Sequence, residues 1–205
     1  MLIFNNIENQ PDANYAMIMI HGYGGNQDSL KPLLNVLTFQ KDVSFYFLQA
    51  PYKLNKDSYS WSYEIEPDVW ERNEPKKMLD DFFNNVIFEK YKSQNVFLMG
   101  FSQGGFICFE YGLNISKQIG GVFPIAGFTE KTPNIHKSQI DTPVIIGHGI
   151  NDKIINISSS KNAVNYYSKI KNMNNVELVT YKGGHKIGLR YLKRVNQFMI
   201  QNNIR

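Results

Sequence analysis

A chain of 205 residues can bury a hydrophobic core without disulfides or a metal, so we expect one domain spanning residues 1–205. Hydrophobic residues make up 42% of the chain and charged residues 20%, a composition that excludes intrinsic disorder, collagen-like repeats and a coiled coil. The formal net charge is +4, but the lysines are scattered rather than gathered in one block, so we expect no nucleic-acid partner.

The chain carries no pattern typical of export or membrane insertion. Cys108 is the only cysteine, so no disulfide can form within the chain and a reducing compartment is favoured. Residues 1–10 lack the positive start and the apolar stretch of a signal peptide. No apolar run approaches the roughly 18 residues of a membrane-spanning helix. We therefore expect a cytoplasmic protein without stable membrane insertion; its oligomeric state does not follow from the sequence.

The predicted elements alternate between strands and helices along the chain. Residues 2–7 are predicted as an antiparallel edge strand, followed by a turn at residues 10–12. Further strands, mostly continuous apolar runs typical of strands covered on both faces, are predicted over residues 15–20, 43–48, 95–99, 121–125, 143–146 and 176–181. Helices are predicted over residues 30–37, 76–91, 104–114, 159–170 and 188–200. The alternation predicts an α/β fold with a mostly parallel central sheet and helices on both faces.

Residues 51–75 form an excursion without a clear period, and they carry Trp61, Tyr63 and Trp70 among charged residues. We interpret the excursion as crossing the sheet edge where ligands bind, and we expect the three aromatic residues to line a substrate pocket. The alternative is that they only pack the excursion onto the domain. The other strand-to-helix connections are short, so no large lid is predicted.

A candidate nucleophile follows the predicted strand at 95–99. This strand runs into Gly100-Phe101-Ser102-Gln103-Gly104, the G-x-S-x-G pattern of a sharp strand-to-helix turn. Such a turn lifts the hydroxyl of Ser102 above the sheet, and Gly100 and Gly104 are needed because a Cβ there would collide with neighbouring backbone. A glycine-rich turn that merely starts a helix is the alternative interpretation.

A serine nucleophile needs a base and an acid, which in this arrangement follow it in the order acid, then histidine. His185 comes after the strand at 176–181 through two glycines, and it is a better candidate base than His148, which we assign to loop support. Asp152 lies at the carboxyl end of the strand at 143–146, where it would hold the tautomer of His185 and stabilise the imidazolium. Of the other acids between serine and histidine, Glu110, Asp141 and Glu177 are less well placed.

The strand at 15–20 ends in the glycine-rich stretch His21-Gly22-Tyr23-Gly24-Gly25, which is close to a loop type that offers a backbone N–H to an oxyanion. We predict the N–H groups of Tyr23 and Gln103 as the two donors, and we expect the side chain of Gln103 to matter far less than its main chain. A dinucleotide-binding loop is the alternative, but Gln27 stands where its third glycine belongs. The sequence has neither a metal-ligand spacing nor a phosphate-binding loop, so no metal is expected.

Together these motifs resemble the phospholipase/carboxylesterase family of α/β-hydrolases, which includes bacterial carboxylesterases and acyl-protein thioesterases. The similarity covers nearly the whole chain, and its most specific piece is Gly-Phe-Ser-Gln-Gly-Gly at residues 100–105. The resemblance implies an α/β-hydrolase fold, a triad of Ser102, Asp152 and His185, and cleavage of acyl esters or thioesters without a cofactor.

Three functional hypotheses follow. The leading one is a serine carboxylesterase that hydrolyses short- to medium-chain acyl esters through an acyl-enzyme. An acyl-protein thioesterase or lysophospholipase is the alternative within the same chemistry, and the sequence does not separate the two. A catalytically silent binding module with the same fold is the alternative from another class, and it is disfavoured because a binding protein has no use for a strained nucleophile turn.

Overall fold

The computed structural model describes residues 2–7, 13–67, 69–130 and 133–205, so the predicted turn at residues 10–12 lies outside the described residues. The strands are β1 (Phe4–Ile7), β2 (Tyr15–Ile20), β3 (Val43–Leu48), β4 (Tyr52–Asn55), β5 (Ser58–Ser60), β6 (Tyr63–Glu66), β7 (Val69–Glu71), β8 (Val96–Phe101), β9 (Gly121–Ile125), β10 (Val144–Gly149) and β11 (Val176–Tyr181). The α-helices are α1 (Asn73–Phe82), α2 (Phe88–Lys90), α3 (Gln103–Glu110), α4 (Ser158–Asn165) and α5 (Leu189–Gln201).

Within the described residues, seven strands form one sheet in the order β1-β3-β2-β8-β9-β10-β11. β1 pairs antiparallel with β3 at the edge, and the remaining neighbours pair parallel. Each predicted strand is present, and the mostly parallel sheet is confirmed. Because parallel strands share one direction, the carboxyl ends of β2, β8, β10 and β11 meet at the same edge of the sheet.

Both faces of the sheet are covered, which explains the continuous apolar runs in the sequence. Every position of β3 is buried. Along β2, Ile18 packs into a core cluster on one face, whereas Met17 and Met19 pack into a second cluster on the other. Helix α3 contributes Phe109 to the first cluster, and α5 contributes Tyr191 to the second.

The helices differ from the predicted ones in extent and type. Helix α1 begins three residues before its predicted start, and it continues through the π-helical segment Phe83–Ile87 into α2. Helix α4 likewise runs into the π-helical segment Tyr166–Ile170. The predicted α-helix over residues 30–37 is wrong, because this stretch holds only the 3₁₀ segment Lys31–Asn35, in which no residue is buried. Leu33 and Leu34 pack against the core but stay only partly buried, and a segment this short gains little stability from helix formation in water. The other 3₁₀ segments are Ser93–Asn95, Gly112–Asn114 and Lys137–Gln139.

The excursion between β3 and α1 consists of two antiparallel hairpins, β4 with β5 and β6 with β7. Neither hairpin joins the large sheet, and the described residues between 51 and 71 contain no helix. None of the helices in the described ranges has the length and apolarity needed to cross a membrane.

Candidate active site

Ser102 sits in a strained turn between β8 and α3. Its φ is 56° and its ψ is −112°, a combination that L-residues rarely adopt. The two glycines of the motif permit this turn: a Cβ on Gly100 would lie 2.1 Å from the Gly104 carbonyl oxygen, and one on Gly104 would lie 2.1 Å from the Ile20 carbonyl oxygen. The Ser102 N–H donates to the carbonyl of Ile125 in the neighbouring strand at 2.8 Å.

The structure brings His185 and Asp152 to Ser102 at the carboxyl edge of the sheet. His185 Nε2 lies 2.9 Å from Ser102 Oγ, and His185 Nδ1 lies 2.8 Å from Asp152 Oδ2. A carboxylate can only accept, so Nδ1 carries the proton and Nε2 is free to accept from the serine hydroxyl. The imidazole is one-fifth exposed, with 19% of its side-chain surface accessible, whereas the carboxyl of Asp152 is fully buried.

The turn after β10 holds the Asp152 carboxylate in its ionised form. Asp152 Oδ1 accepts from the N–H groups of Ile154 at 2.9 Å and Ile155 at 3.0 Å. Burial alone would raise the pKa of this carboxyl, but the hydrogen bonds from His185 and from the two backbone N–H groups outweigh it and place the pKa below its usual value. The group is therefore charged near neutral pH and faces the protonated nitrogen of His185.

His148, the other late histidine, is buried behind this turn. Its Nε2 lies 2.8 Å from the carbonyl oxygen of Ile155, and its Nδ1 lies 2.6 Å from Ser160 Oγ. Since a carbonyl can only accept, Nε2 carries the proton and Nδ1 accepts from the Ser160 hydroxyl. The same Nε2 is 3.5 Å from Asp152 Oδ2. The geometry is consistent with the interpretation that His148 supports the turn that carries Asp152.

The glycine-rich stretch after β2, residues 21–25, is called the glycine loop below, and the strand-to-helix turn at residues 100–104 is called the elbow. The glycine loop lies against the elbow. A Cβ on Gly22 would be only 3.1 Å from Ser102 Cβ, and Gly24 has a positive φ of 78°. The Tyr23 side chain is 66% exposed, and the contribution that we predict for this residue is that of its main-chain N–H. Gln103 is the first residue of α3, and the first N–H groups of a helix have no acceptor within it. Both predicted oxyanion donors therefore belong to segments that border Ser102.

His21, which the sequence interpretation treated only as part of this loop, fixes its conformation. Nδ1 of His21 donates to the Gly22 carbonyl at 2.7 Å, and Nε2 accepts from the Ala50 N–H at 3.1 Å. Burial lowers the pKa of His21 to about 4, which the hydrogen bond to Gly22 offsets only in part. The imidazole is thus neutral near pH 7, as both of its hydrogen bonds require.

The side chain of Gln103 is a feature that sequence analysis missed. It is 9% exposed and makes hydrogen bonds to Ser60, Trp61 and Ser62 at the junction of the two hairpins. These contacts attach the Gln103 side chain to the hairpins, a structural role that the sequence-based expectation of a minor side-chain contribution does not include. No sequence signal pointed to these contacts, because the partners lie 41 to 43 residues away along the chain.

A cavity of about 390 Å³ adjoins the elbow between α1 and α3. Trp61 lines it and is 2% exposed, but Tyr63 and Trp70 do not line it; they lie on the second hairpin and are 47% and 42% exposed. Of the three aromatic residues expected in a pocket wall, the structure therefore brings only Trp61 to this cavity. Within the described ranges, no three His, Cys, Asp or Glu side chains are grouped as metal ligands would be.

Comparisons with known proteins agree on one family and one fold. The family model described as Phospholipase/Carboxylesterase matches residues 5–203. The chain is 28% identical over 196 residues to acyl-protein thioesterase 1 of Debaryomyces hansenii, covering 83% of each chain. It is 26% identical over 199 residues to acyl-protein thioesterase 1 of Candida albicans, covering 85% of this chain and 86% of the relative.

Two solved structures are similar over almost the full length. The crystal structure of esterase PE8 aligns with a TM-score of 0.80 at 19% identity and covers 98% of both chains. That of a phospholipase/carboxylesterase from Dyadobacter fermentans aligns with a TM-score of 0.79 at 21% identity, covering 98% of this chain and 97% of the other. These similarities confirm the α/β-hydrolase fold.

Proposed function

The chain belongs to the phospholipase/carboxylesterase family of hydrolases, and from this premise we propose that it is a serine carboxylesterase acting on short- to medium-chain acyl esters. The observation that carries the proposal is the continuous hydrogen-bond chain from Ser102 through His185 to Asp152, with distances of 2.9 and 2.8 Å. A serine on a strained turn, a base within hydrogen-bond reach and an ionised acid behind it are the parts that acyl transfer requires.

In the proposed reaction, Ser102 Oγ attacks the ester carbonyl while Nε2 of His185 takes the hydroxyl proton. Asp152 stabilises the imidazolium that forms. The carbonyl π electrons move to its oxygen, and the N–H groups of Tyr23 and Gln103 bind the resulting oxyanion. His185 then gives its proton to the leaving alcohol as the ester C–O bond breaks, which leaves an acyl-Ser102. A water molecule, deprotonated by His185, attacks the acyl-enzyme in the same way and releases the acid.

We place the acyl group in the cavity next to the elbow, which Gln103 lines, and this placement favours short and medium acyl groups. Trp61, Phe106 and Leu79 offer apolar contact, and each buried methylene contributes about 0.8 kcal/mol. The same cavity is also lined by Arg72 and Glu110. A long apolar tail would have to displace water from these charged groups, and their desolvation is unfavourable. We expect kcat/KM to rise over the first few carbons and then to level off.

A second candidate within the same chemistry is hydrolysis of acyl thioesters on proteins. It is favoured by one specific observation, the naming of the yeast relatives at 26% and 28% identity as acyl-protein thioesterases. The triad and the oxyanion donors would serve a thioester as they serve an ester, so the two candidates differ in substrate and not in mechanism.

A panel of nitrophenyl esters from acetyl to palmitoyl, matched acyl thioesters and lysophospholipids tests both candidates. The expected result is highest kcat/KM on short or medium esters, without a rise above the critical micelle concentration. A preference for palmitoyl thioesters would favour the second candidate. Failure of a fluorophosphonate probe to label Ser102 in the folded protein would reject both and favour a silent binding module.

A further inference from the structure

The Gln103 side chain is held between α3 and the hairpin junction by hydrogen bonds at both ends of its amide. Its Oε1 accepts from the Trp61 N–H at 2.9 Å. Its Nε2 donates to the hydroxyls of Ser62 at 2.8 Å and Ser60 at 3.0 Å. Because a backbone N–H can only donate, the oxygen of the amide must face Trp61, which fixes the orientation of the group. Gln103 is thereby tied to three consecutive residues of the excursion.

The same stretch of the excursion holds the glycine loop. Nε1 of Trp61 donates to the His21 carbonyl at 3.0 Å. The Gly24 N–H donates to the Tyr59 carbonyl, and the Tyr59 N–H donates to the Gly25 carbonyl, both at 2.9 Å. These bonds flank the predicted oxyanion donor of the loop on both of its sides.

The glycine loop needs an external anchor if it is to present a donor. Three of the four residues from 22 to 25 are glycines, which restrict the backbone little, and the side chain of Tyr23 is largely exposed rather than packed. Oxyanion donors are effective only when they are fixed before the reaction, and a displacement of about 1 Å can cost about 100-fold in rate. A segment bonded to both donor-bearing parts of the chain could supply this restraint.

We propose that residues 59–62, which we call the clamp, set the separation between the Tyr23 N–H and the Gln103 N–H, with the Gln103 side chain as their main point of attachment. The clamp is a positioning element: it acts on the two donors through its hydrogen bonds to Gln103 and to the glycine loop. The inference rests on the proposed function, because it requires that the two N–H groups bind an oxyanion. It also gives Gln103 a second role, through its side chain, beside that of its main chain.

The test replaces Gln103 by Met, which keeps the length of the side chain and removes its hydrogen bonds. We expect kcat on a nitrophenyl ester to fall about 10- to 100-fold with KM changed less than about threefold, as for loss of an interaction made in the transition state. A trifluoromethyl ketone provides an independent readout. Ser102 Oγ adds to its carbonyl carbon, the hydroxyl proton passes to His185 and the carbonyl oxygen becomes an oxyanion. The inhibition constant should rise by the same factor as kcat/KM falls.

Gln139 offers a matched control, since it is another buried glutamine that joins separate segments. Its Nε2 donates to the carbonyls of Ile115 at 2.7 Å and Lys117 at 2.8 Å, and its Oε1 accepts from the Thr142 hydroxyl at 2.7 Å. Gln139→Met makes the same chemical change away from the elbow. It should lower the melting temperature as Gln103→Met does, while kcat and the inhibition constant stay within about twofold of wild type.

Trp61→Phe is the second variant, and it tests the clamp if Gln103→Met does not fold. It removes the indole N–H that bonds to His21 and keeps an aromatic ring, so kcat should fall about 3- to 10-fold and the ketone should bind more weakly by the same factor. An active wild type with kcat and ketone affinity unchanged in the folded variants would overturn the clamp alone. A wild type that hydrolyses neither esters nor thioesters would overturn the proposed function and the clamp with it.

Discussion

The backbone of Ser102, with φ of 56° and ψ of −112°, costs an L-residue on the order of 1–3 kcal/mol and costs glycine much less. We therefore expect the free energy of unfolding of Ser102→Gly to be about 1 kcal/mol higher than that of Ser102→Ala, because glycine relieves the backbone strain. The greater freedom of glycine in the unfolded chain offsets only part of this gain. Both variants lose the hydroxyl and should lower kcat by several orders of magnitude. Urea denaturation and ester hydrolysis measure the two effects. Equal stability of the two variants would contradict the strain, and activity within tenfold of wild type would contradict the nucleophile.

Asp152 is the acid that we assign to the triad, because its buried carboxylate accepts a hydrogen bond from His185. In Asp152→Asn the amide can donate to Nδ1 of His185 and favour the wrong tautomer, so kcat should fall by up to about 10⁴. Glu177→Gln is the control, because Glu177 is paired instead with Arg194 on α5, at 2.9 and 3.0 Å from Nε. Its kcat should stay close to that of wild type. A larger loss in Glu177→Gln than in Asp152→Asn would show that the acid is misassigned.

At the scale of elements, the strands were predictable because burial on both faces leaves continuous apolar runs in the sequence, as in β2 and β3. The two hairpins were not, because their exposed positions are free to be polar or apolar and carry no period; all of Tyr63–Glu66 is exposed. The order of Ser102, Asp152 and His185 could be predicted because each follows a strand of the parallel sheet. The attachment of Gln103 to Ser60, Trp61 and Ser62 depends on how an irregular excursion folds back, and no local pattern encodes that.

The crossing of α3 over β2 depends on Gly104. A Cβ there would lie 2.1 Å from the Ile20 carbonyl oxygen, and backbone cannot give way as a flexible side chain can. We expect Gly104→Ala to lower the free energy of unfolding by about 3 kcal/mol or more and to abolish activity, because α3 must move away from the glycine loop. The measurement is chemical denaturation together with kcat.

Gly112→Ala is the control for this substitution, since its Cβ would meet the Leu98 side chain at 3.0 Å and Val122 at 3.5 Å, both of which can adjust. It should cost clearly less stability than Gly104→Ala. If the two variants were equally stable, the close approach of α3 to β2 would not be the constraint that we infer.

At the scale of the whole molecule, the candidate site draws on segments that lie far apart in the chain and meet only when the large sheet is complete. The glycine loop follows β2, Ser102 follows β8, Asp152 follows β10 and His185 follows β11. Stability and activity are thus coupled, because any opening of the sheet separates these residues. Stability should also depend on pH, because the buried imidazole of His21 stays neutral in the folded state and can take up a proton in the unfolded state.

The direction of this pH dependence follows from the two pKa values of His21. Its pKa is about 4 in the folded protein, against an ordinary value of 6.5. Between these values the unfolded chain binds more protons than the folded one, so stability is lost as pH falls from about 6.5 to about 4. Since one pKa unit corresponds to about 1.4 kcal/mol, the loss from His21 is on the order of 3 kcal/mol. The Asp152 carboxyl, whose pKa is lowered, loses its contribution only as pH falls through its folded pKa, below this window.

Urea denaturation at pH 7, 5.5 and 4.5 measures this slope in wild type and in His21→Asn. The amide of Asn can still donate to the Gly22 carbonyl but does not titrate, so the variant should be less stable at pH 7 and its stability should depend less on pH. His136→Asn makes the same change from imidazole to amide at a histidine that is only partly buried and bonds to Ser138 within its own turn, so it controls for the substitution itself. A slope that is as steep in His21→Asn as in wild type would assign the acid sensitivity to other groups.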